Sequence, residues 1–519
     1  MVYVVIPVKD SVEKLVQFYL NDYKPQHVRA PKLIHDTILG SNLFYPHEIA
    51  VLDSPLLQRL RRIGQVDIVP LVFPSGNHNR FEHTLGVTVI ADKLARALRK
   101  KLREKRRETK DYFLDIEIDD NIIKTVRLAA ILHDCGHGPM SHISEEVFKH
   151  CNDLELEMLV NEKLAGCSAH EALSYFIVTS DSFRKFINKI EKEYDVQFDL
   201  DLIGEMIIGY AGEPKKTYLK DIINGAFDAD KLDYIQRDSH FTGIKMVLDL
   251  DRLFYSIDLV EDDEKRVRLT ADISGTSTLE QVVFNKMMLF SVVYHHHKVR
   301  AAESLFYSIF EEIKINNLKI YDLEFKSAVD FLYLTDNDIY SLNRNKDKIA
   351  SIAREMCYRR LPMRAMVLSN KTVSKESLPP FRKVQELYEN PRMITVLREK
   401  ISEETKKLGT HVLTSDIWLD IPRTPKFKEG QDWPIKSAGS AKGYIRLKDV
   451  IPVDEWVKAF SHNKWQGFVF TRFEYRKTVY LATKKILKEY FRVDINNNAK
   501  YLCKMDDFES DDFSEEILD

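Results

Sequence analysis

The chain has 519 residues, 44% of them hydrophobic and 30% charged, which is the make-up of an ordinary globular protein too long for a single core. Its formal net charge of -3 excludes any global charge excess that would by itself point to nucleic acid or membrane. Five scattered cysteines without a C-x-x-C exclude a disulfide framework or a cysteine zinc site, and no run approaches the roughly 18 apolar residues of a membrane span.

In chain order, residues 1–8 (MVYVVIPV) read as a short strand rather than a signal peptide, so the protein is expected in the cytoplasm, or in the nucleus of a host that has one. Residues 1–30 form an N-terminal strand and helix segment. Helical periodicity dominates from about residue 45 to 320, broken at Ser75-Gly76-Asn77 and at Gly136-His137-Gly138-Pro139. Residues 99–110 (RKKLREKRRETK) carry eight basic and two acidic side chains, read either as a solvated helix end or as an arm attracting nucleotide or nucleic-acid phosphates. From about 410 the texture changes. Segments 417–422 and 467–471 read as strands, 423–443 as a loop and 478–491 as a helix. The expected fold is mainly α: a helical core over 31–320 and a smaller mixed α/β lobe over 321–505. Residues 506–519, with eight acids and no base, read as a disordered tail.

The chemistry gathers in the helical part. In 122–134 (IIKTVRLAAILHD) the apolar positions form a buried helix face that ends on His133-Asp134. An adjacent histidine and carboxylate at a buried helix end are costly unless satisfied, either by hydrogen bonds or by a divalent metal. His83 opens a helix whose apolar face runs through Val87, Ile90, Ala91, Leu94 and Leu98, so its imidazole points to the same core. In 228–240, Asp230, Tyr234 and Asp238 fall at i, i+4 and i+8 on one helix face, with Lys231 beside it. Arg80, His137, His142 and the pair His170-Glu171 lie close to these helices. Cations around a two-His, two-Asp centre suit a phosphoryl substrate. A histidine paired with a carboxylate, His170 with Glu171 or Asp238, suits protonation of a leaving group.

The segments DSPLLQRLRRI (53–63), HNRFEHTLGV (78–87), ILHDCGHGPMSH (131–142) and DADKLDYIQRD (228–238) together resemble the HD-domain deoxynucleoside triphosphate triphosphohydrolases, with no SAM domain apparent. The match spans roughly residues 30–300. The resemblance implies a helical HD core with a divalent metal (Fe, Mn, Mg, Ni or Zn) on His83, His133, Asp134 and Asp230. It implies Arg80, Lys231 and Tyr234 on the triphosphate, and His137, His142, His170 and Asp238 around the scissile bond, His170 as general acid. Gln65 matches a position that touches the sugar 3′-hydroxyl. The implied reaction yields deoxynucleoside and inorganic triphosphate. Val66, His295 and His296 depart from the family pattern at the sugar pocket, which leaves NTPs or other nucleotide polyphosphates as alternative substrates. Lys32, Asp53, Gln58 and Arg61 match positions that read a nucleotide activator, and the family forms homo-oligomers, so a dimer or tetramer is implied. Two rivals stand beside this reading: a phosphodiesterase or nuclease on single-stranded nucleic acid drawn in by residues 99–110, and a non-enzymatic nucleotide sensor. No membrane partner is expected.

Overall fold

Helical spacing of apolar residues builds the core that carries the site. In the helix Arg80–Glu108 the face Val87, Ile90, Ala91, Leu94 and Leu98 is buried along its length. Beside it packs Asp120–Leu132. Asp119 starts that helix by accepting the Ile122 amide at 2.8 Å, and every residue from Thr125 to Leu132 is buried, as befits a central helix. Leu200–Ile207 packs on Asp120–Leu132, Ala229–Thr242 on Arg80–Glu108, and Ala169–Thr179 on Leu200–Ile207. The helix Ala229–Thr242 begins on Asp228, which accepts the Lys231 amide, and ends on left-handed Gly243.

The computed structural model describes residues 7–108, 115–148, 151–316, 318–423 and 433–505. It is mainly helical, with a smaller mixed strand region in the C-terminal part. The strands are β1 (Lys32–Asp36), β2 (Gly40–Phe44), β3 (Ile257–Glu261), β4 (Val267–Asp272), β5 (Met363–Leu368), β6 (Ile417–Asp420), β7 (Pro434–Lys436), β8 (Tyr444–Arg446) and β9 (Gly467–Thr471). They form a β1-β2 hairpin and sheets of order β3-β4-β7-β8 and β5-β9-β6. In the last, β9 lies between two antiparallel neighbours, with Val469 opposite both Met366 and Leu419. Among the described residues no helix is long and apolar enough to cross a membrane.

Contacts divide the chain into two units, one of residues up to 289 with 310–345 and 427–454, the other of 290–309, 346–426 and 455 onward. The expected single boundary near 320 is thus replaced by interleaved segments, because non-local contacts rather than local composition define the units. Three further differences have physical causes. The hairpin β3-β4 interrupts the stretch read as helical; Asp262 makes its turn by accepting the Glu264 and Arg266 amides. The loop expected over 423–443 contains β7, which Pro434 opens at the one strand position that needs no amide donor and which joins β4 in parallel. Val8 opens a helix, Val8–Leu20. Residues 1–6 of the expected strand, 109–110 of the basic run and the acidic tail 506–519 lie outside the described residues.

Two glycines set the site's helix spacing. A Cβ on Gly86 would stand 2.0 Å from Asp233 Oδ1 and 2.3 Å from an Arg237 guanidinium nitrogen. A Cβ on Gly136 would stand 2.2 Å from the His170 carbonyl oxygen and 2.5 Å from the Ser174 amide. Only a bare backbone lets the His83 helix meet the Asp230 helix, and the His133-Asp134 turn meet the His170 helix, this closely.

Candidate functional site

The helix Asp120–Leu132 stops at His133, and the turn that follows is pinned by two side chains. Ser174 donates its hydroxyl to the His133 carbonyl at 2.7 Å and accepts the Gly136 amide at 2.8 Å. Buried Arg59 donates to the His137 carbonyl at 2.8 Å and to that of Cys135. The turn therefore presents His133, Asp134 and His137 from a fixed backbone.

His83, His133 and Asp134, all buried, bring one nitrogen or oxygen each within metal-bridging distance. His83 Nε2 lies 3.0 Å from Asp230 Oδ1 and 3.7 Å from Asp134 Oδ2, and His133 Nε2 lies 3.3 Å from Asp134 Oδ1. The outer nitrogens are already committed: His83 Nδ1 is 2.8 Å from Asp233 Oδ2, and His133 Nδ1 is 2.7 Å from the Ala130 carbonyl. Asp233 is itself held by Arg237, which also reaches Asp36. Such acceptors fix each imidazole with its Nε2 edge facing inward. His133 Nε2 is buried without a hydrogen-bond partner, and His83 Nε2 is buried facing only the Asp230 and Asp134 carboxylates, outside hydrogen-bond geometry. Unsatisfied polar atoms of this kind are costly, and a divalent cation among His83, His133 and Asp134, with Asp230 beside His83, would satisfy them. The donor set of two imidazoles and two carboxylates fits such an ion without selecting one metal.

Electrostatics keep the acids ionised. Burial opposes the charge on Asp134, yet the Arg80 guanidinium and the imidazoles of His133 and His137 hold its carboxyl well below the usual range. Asp230 is likewise held low against burial, through His83. His83 is pushed up to about 10, because Asp230 and Asp233 outweigh its burial.

Next to this cluster lies a second group. His137 is fully buried, 3.4 Å from Asp134 Oδ1, and stacks on His170 with ring centroids 3.8 Å apart. Burial, helped by Arg80 and His170, holds His137 neutral, well below the ordinary range. His170 Nδ1 bonds Glu145 Oε1, and this carboxylate outweighs burial to raise His170 to about 9. Glu145 is held low in return, also against its burial.

The remaining expected residues fall into distinct places. Arg80 bonds Asp134 and donates to Ser141 Oγ at 2.6 Å, leaving one buried guanidinium nitrogen without a partner. Gln65 is buried with its Oε1 unpartnered, and Val66 is buried beside it. Lys231 donates to Asp228 Oδ2 at 2.6 Å and to the Gly225 carbonyl at 2.9 Å. Tyr234 is half-buried on the Asp230 helix. The exposed His142 side chain lies 3.6 Å from Asp67. His295 and His296 belong to the second unit. Burial holds His295 neutral, at about 3, with a lesser push from Arg300. Lys32 lies 3.7 Å from Asp53, and Arg61 donates to Gln58 at 2.8 Å.

The pairing expected for His170 is corrected. Glu171 accepts the Ser168 amide in a capping box and an Asn224 amide hydrogen at 2.8 Å, so it secures the helix start. Asp238 lies 2.7 Å from His78 Nε2, in a buried pair. The partner of His170 is Glu145. Sequence reasoning passed over Glu145, Asp233, His78 and Ser174. Two faint signals existed: Glu145 stands one helical turn after His142, and Asp233 one turn after Asp230.

A helical core that brings His83, His133 and Asp134 into one metal-capable cluster, with Asp230 beside His83, fits an HD-domain phosphohydrolase. The HD domain profile matches residues 80–238 and the HD associated region profile residues 248–502. An uncharacterized protein of Methanocaldococcus jannaschii is 28% identical over 91% of this chain and 86% of its own. The deoxynucleoside triphosphate triphosphohydrolase SAMHD1 homolog of Dictyostelium discoideum is 26% identical over 77% of this chain and 69% of its own. The human deoxynucleoside triphosphate triphosphohydrolase SAMHD1 is 27% identical over 66% of this chain, and the match spans only about half, 54%, of the human protein. The chain belongs to the HD-domain, dNTPase-like family of metal-dependent phosphohydrolases.

Proposed function

We propose that the protein hydrolyses deoxynucleoside triphosphates to deoxynucleoside and inorganic triphosphate. The observation that carries this reading is the inward-facing pair of imidazole nitrogens on His83 and His133 with the Asp134 and Asp230 carboxylates, set beside the cations of Arg80 and Lys231 and the His170–Glu145 pair. His83, His133, Asp134 and Asp230 would hold a divalent cation, which when bound would supply polarisation of a phosphoryl oxygen and a lowered pKa of water. Arg80, with Lys231, Tyr234 and His142, holds the triphosphate oxygens through charge-assisted hydrogen bonds. His170, kept protonated by Glu145, donates its proton to the departing 5′ oxygen. Neutral His137 stacks on His170 and keeps that ring in place. Gln65 and Val66 border the sugar; the family relationship favours the deoxy form. The matched positions Lys32, Asp53, Gln58 and Arg61 support a site for a nucleotide activator, and the family relationship supports a homo-oligomer.

The test is a product assay. Purified protein with Mn²⁺ is offered each dNTP and NTP, and the products are resolved by ion-exchange chromatography. Inorganic triphosphate with deoxynucleoside, formed faster from dNTPs than NTPs, is the expected result. Nucleoside monophosphate with pyrophosphate contradicts the cleavage position, and undiminished activity in a His133→Ala, Asp134→Ala double variant overturns the metal centre.

A further inference from the structure

The turn Gly138–Ser141 runs through two consecutive non-glycine residues in the left-handed region, Met140 (φ 54°) and Ser141 (φ 47°). Side chains disfavour this conformation, so it persists only where surrounding bonds impose it. Those bonds lead to one residue outside the sequence motifs. Asp336 Oδ1 accepts the Met140 amide at 2.6 Å, and its Oδ2 accepts the Gly64 amide at 2.8 Å. One carboxylate thus ties the turn before His142 to the segment before Gln65, although it lies 196 and 272 residues away from them.

Asp336 is not spent on its own helix. It occupies the first turn of Asp336–Ser341, but Thr335 and Asp338 form the capping box there. Its carboxylate is free to reach across. The two segments it ties are already cross-linked to Arg80. Ser141 Oγ donates to the Gly64 carbonyl at 2.6 Å and accepts from Arg80 Nε at 2.6 Å. The Arg80 amide donates to the Ile63 carbonyl at 3.0 Å, and the Gln65 amide to that of His78 at 3.0 Å. Asp67 accepts the His142 amide at 2.8 Å. Each element in this web carries one expected substrate contact: Gln65, Arg80 or His142.

We propose that Asp336 is a positioning residue that clamps the Gln65 segment to the His142 turn and thereby sets the placement of Gln65, Arg80 and His142 for substrate. The carboxyl group suits this task because it offers two acceptor oxygens, one for each amide, where an asparagine has one; burial raises Asp336 to about 7, against the two amide bonds. His83 and His133 are fixed by their own acceptors, Asp233 and the Ala130 carbonyl, whereas Asp134 is reached from the web through Arg80, so metal content is the readout that separates substrate placement from the metal centre. This role rests on the proposed nucleotide-hydrolase reading, but the clamp itself can be tested without activity.

The experiment compares wild type, Asp336→Asn and the control Asp338→Asn, which touches only the helix cap. Amide hydrogen exchange is followed by mass spectrometry in peptides covering 60–68 and 136–144, beside metal content and dNTP hydrolysis kinetics with Mn²⁺. Asp336→Asn is expected to speed exchange in both peptides and to raise KM at least tenfold with less than a threefold change in kcat. Metal stoichiometry should remain that of wild type, and Asp338→Asn should change neither exchange in these peptides nor KM. Unchanged exchange in Asp336→Asn overturns the clamp. Faster exchange with unchanged KM overturns its link to substrate. If wild type shows no nucleotide hydrolysis, the functional reading fails, and the same KM role falls with it while the exchange arm still decides the clamp. Should Asp336→Asn not fold, Asp336→Glu, which keeps both oxygens but shifts them by a methylene, is read in the same assays and must disturb exchange in both peptides.

Discussion

Glu171 adjoins His170 in the chain and Glu145 meets it only in the fold, and they do different work. Glu145 is buried against His170 and His137, whereas Glu171 is tied to the Ser168 amide and Asn224. If His170 supplies the leaving-group proton, the carboxylate that keeps it protonated should matter to rate. Glu145→Gln is expected to lower kcat about 100-fold, the low end of what general acid catalysis contributes, with metal content unchanged. Glu171→Gln should cost roughly 1 kcal/mol of stability through the weakened cap and change kcat less than tenfold. Steady-state kinetics and thermal unfolding of the two variants check this, and a larger kcat loss in Glu171→Gln would reverse the assignment. The candidate ligands that the fold brings together were legible because each sits in a compact motif at a helix start or end. Their supporting acceptors were not. Asp233, Glu145 and Ser174 are ordinary helix residues until the fold turns them toward an imidazole, and periodicity alone does not say which neighbour they will meet.

At the scale of elements, the site depends on how closely the Arg80–Glu108 and Ala229–Thr242 helices approach. Gly86 is the point of contact, and the atoms a methyl group would strike belong to the Asp233–Arg237 pair that anchors His83. These side chains are locked by each other and by Asp36, so they have little freedom to yield. Gly86→Ala should therefore cost about 1–3 kcal/mol as an overpacked core does, and weaken metal affinity 10- to 100-fold by disturbing the acceptor of a ligand histidine. Gly439→Ala, with only a Ser437 hydroxyl 3.9 Å away, is the neutral control. Thermal unfolding with and without Mn²⁺ measures both effects, and equal metal response in Gly86→Ala and wild type would sink the argument. The helices themselves could be read from the chain: the buried stripe from Val87 to Leu98 matches its spacing residue for residue. What local pattern could not supply was pairing over distance. The β4–β7 ladder joins Ala271 to Ile435, and no turn signal connects them.

For the molecule as a whole, pH should separate contributions from the two units. In the second unit, burial holds His295 and His297 at about 3, with help from Arg300 in one case and Arg364 in the other. Above the ordinary histidine value of about 6.5, folded and unfolded imidazoles are alike neutral, and the stability linked to them is fully present. Below it the unfolded chain takes up protons that the folded one refuses until about pH 3, so stability falls with pH, by at most about 1.4 kcal/mol per pH unit for each group. His170 and His83, raised to about 9 and about 10, act in the opposite sense: their contribution is intact below 6.5 and is lost only as the pH rises through those values. The carboxylates Asp134, Asp230 and Glu145, all held low, release stability only below the ordinary carboxylate range. Between pH 6.5 and 4.5 the loss therefore comes from depressed histidines, with His47 and His137 responding in the first unit. Tryptophan fluorescence can isolate the second unit's share, because Trp418, Trp456 and Trp465 of the four tryptophans lie there. A His295→Gln, His297→Gln double variant should show a flatter decline of the fluorescence-detected midpoint from pH 6.5 to 4.5 than wild type. Parallel curves across that range would show that these two imidazoles are not the groups that titrate.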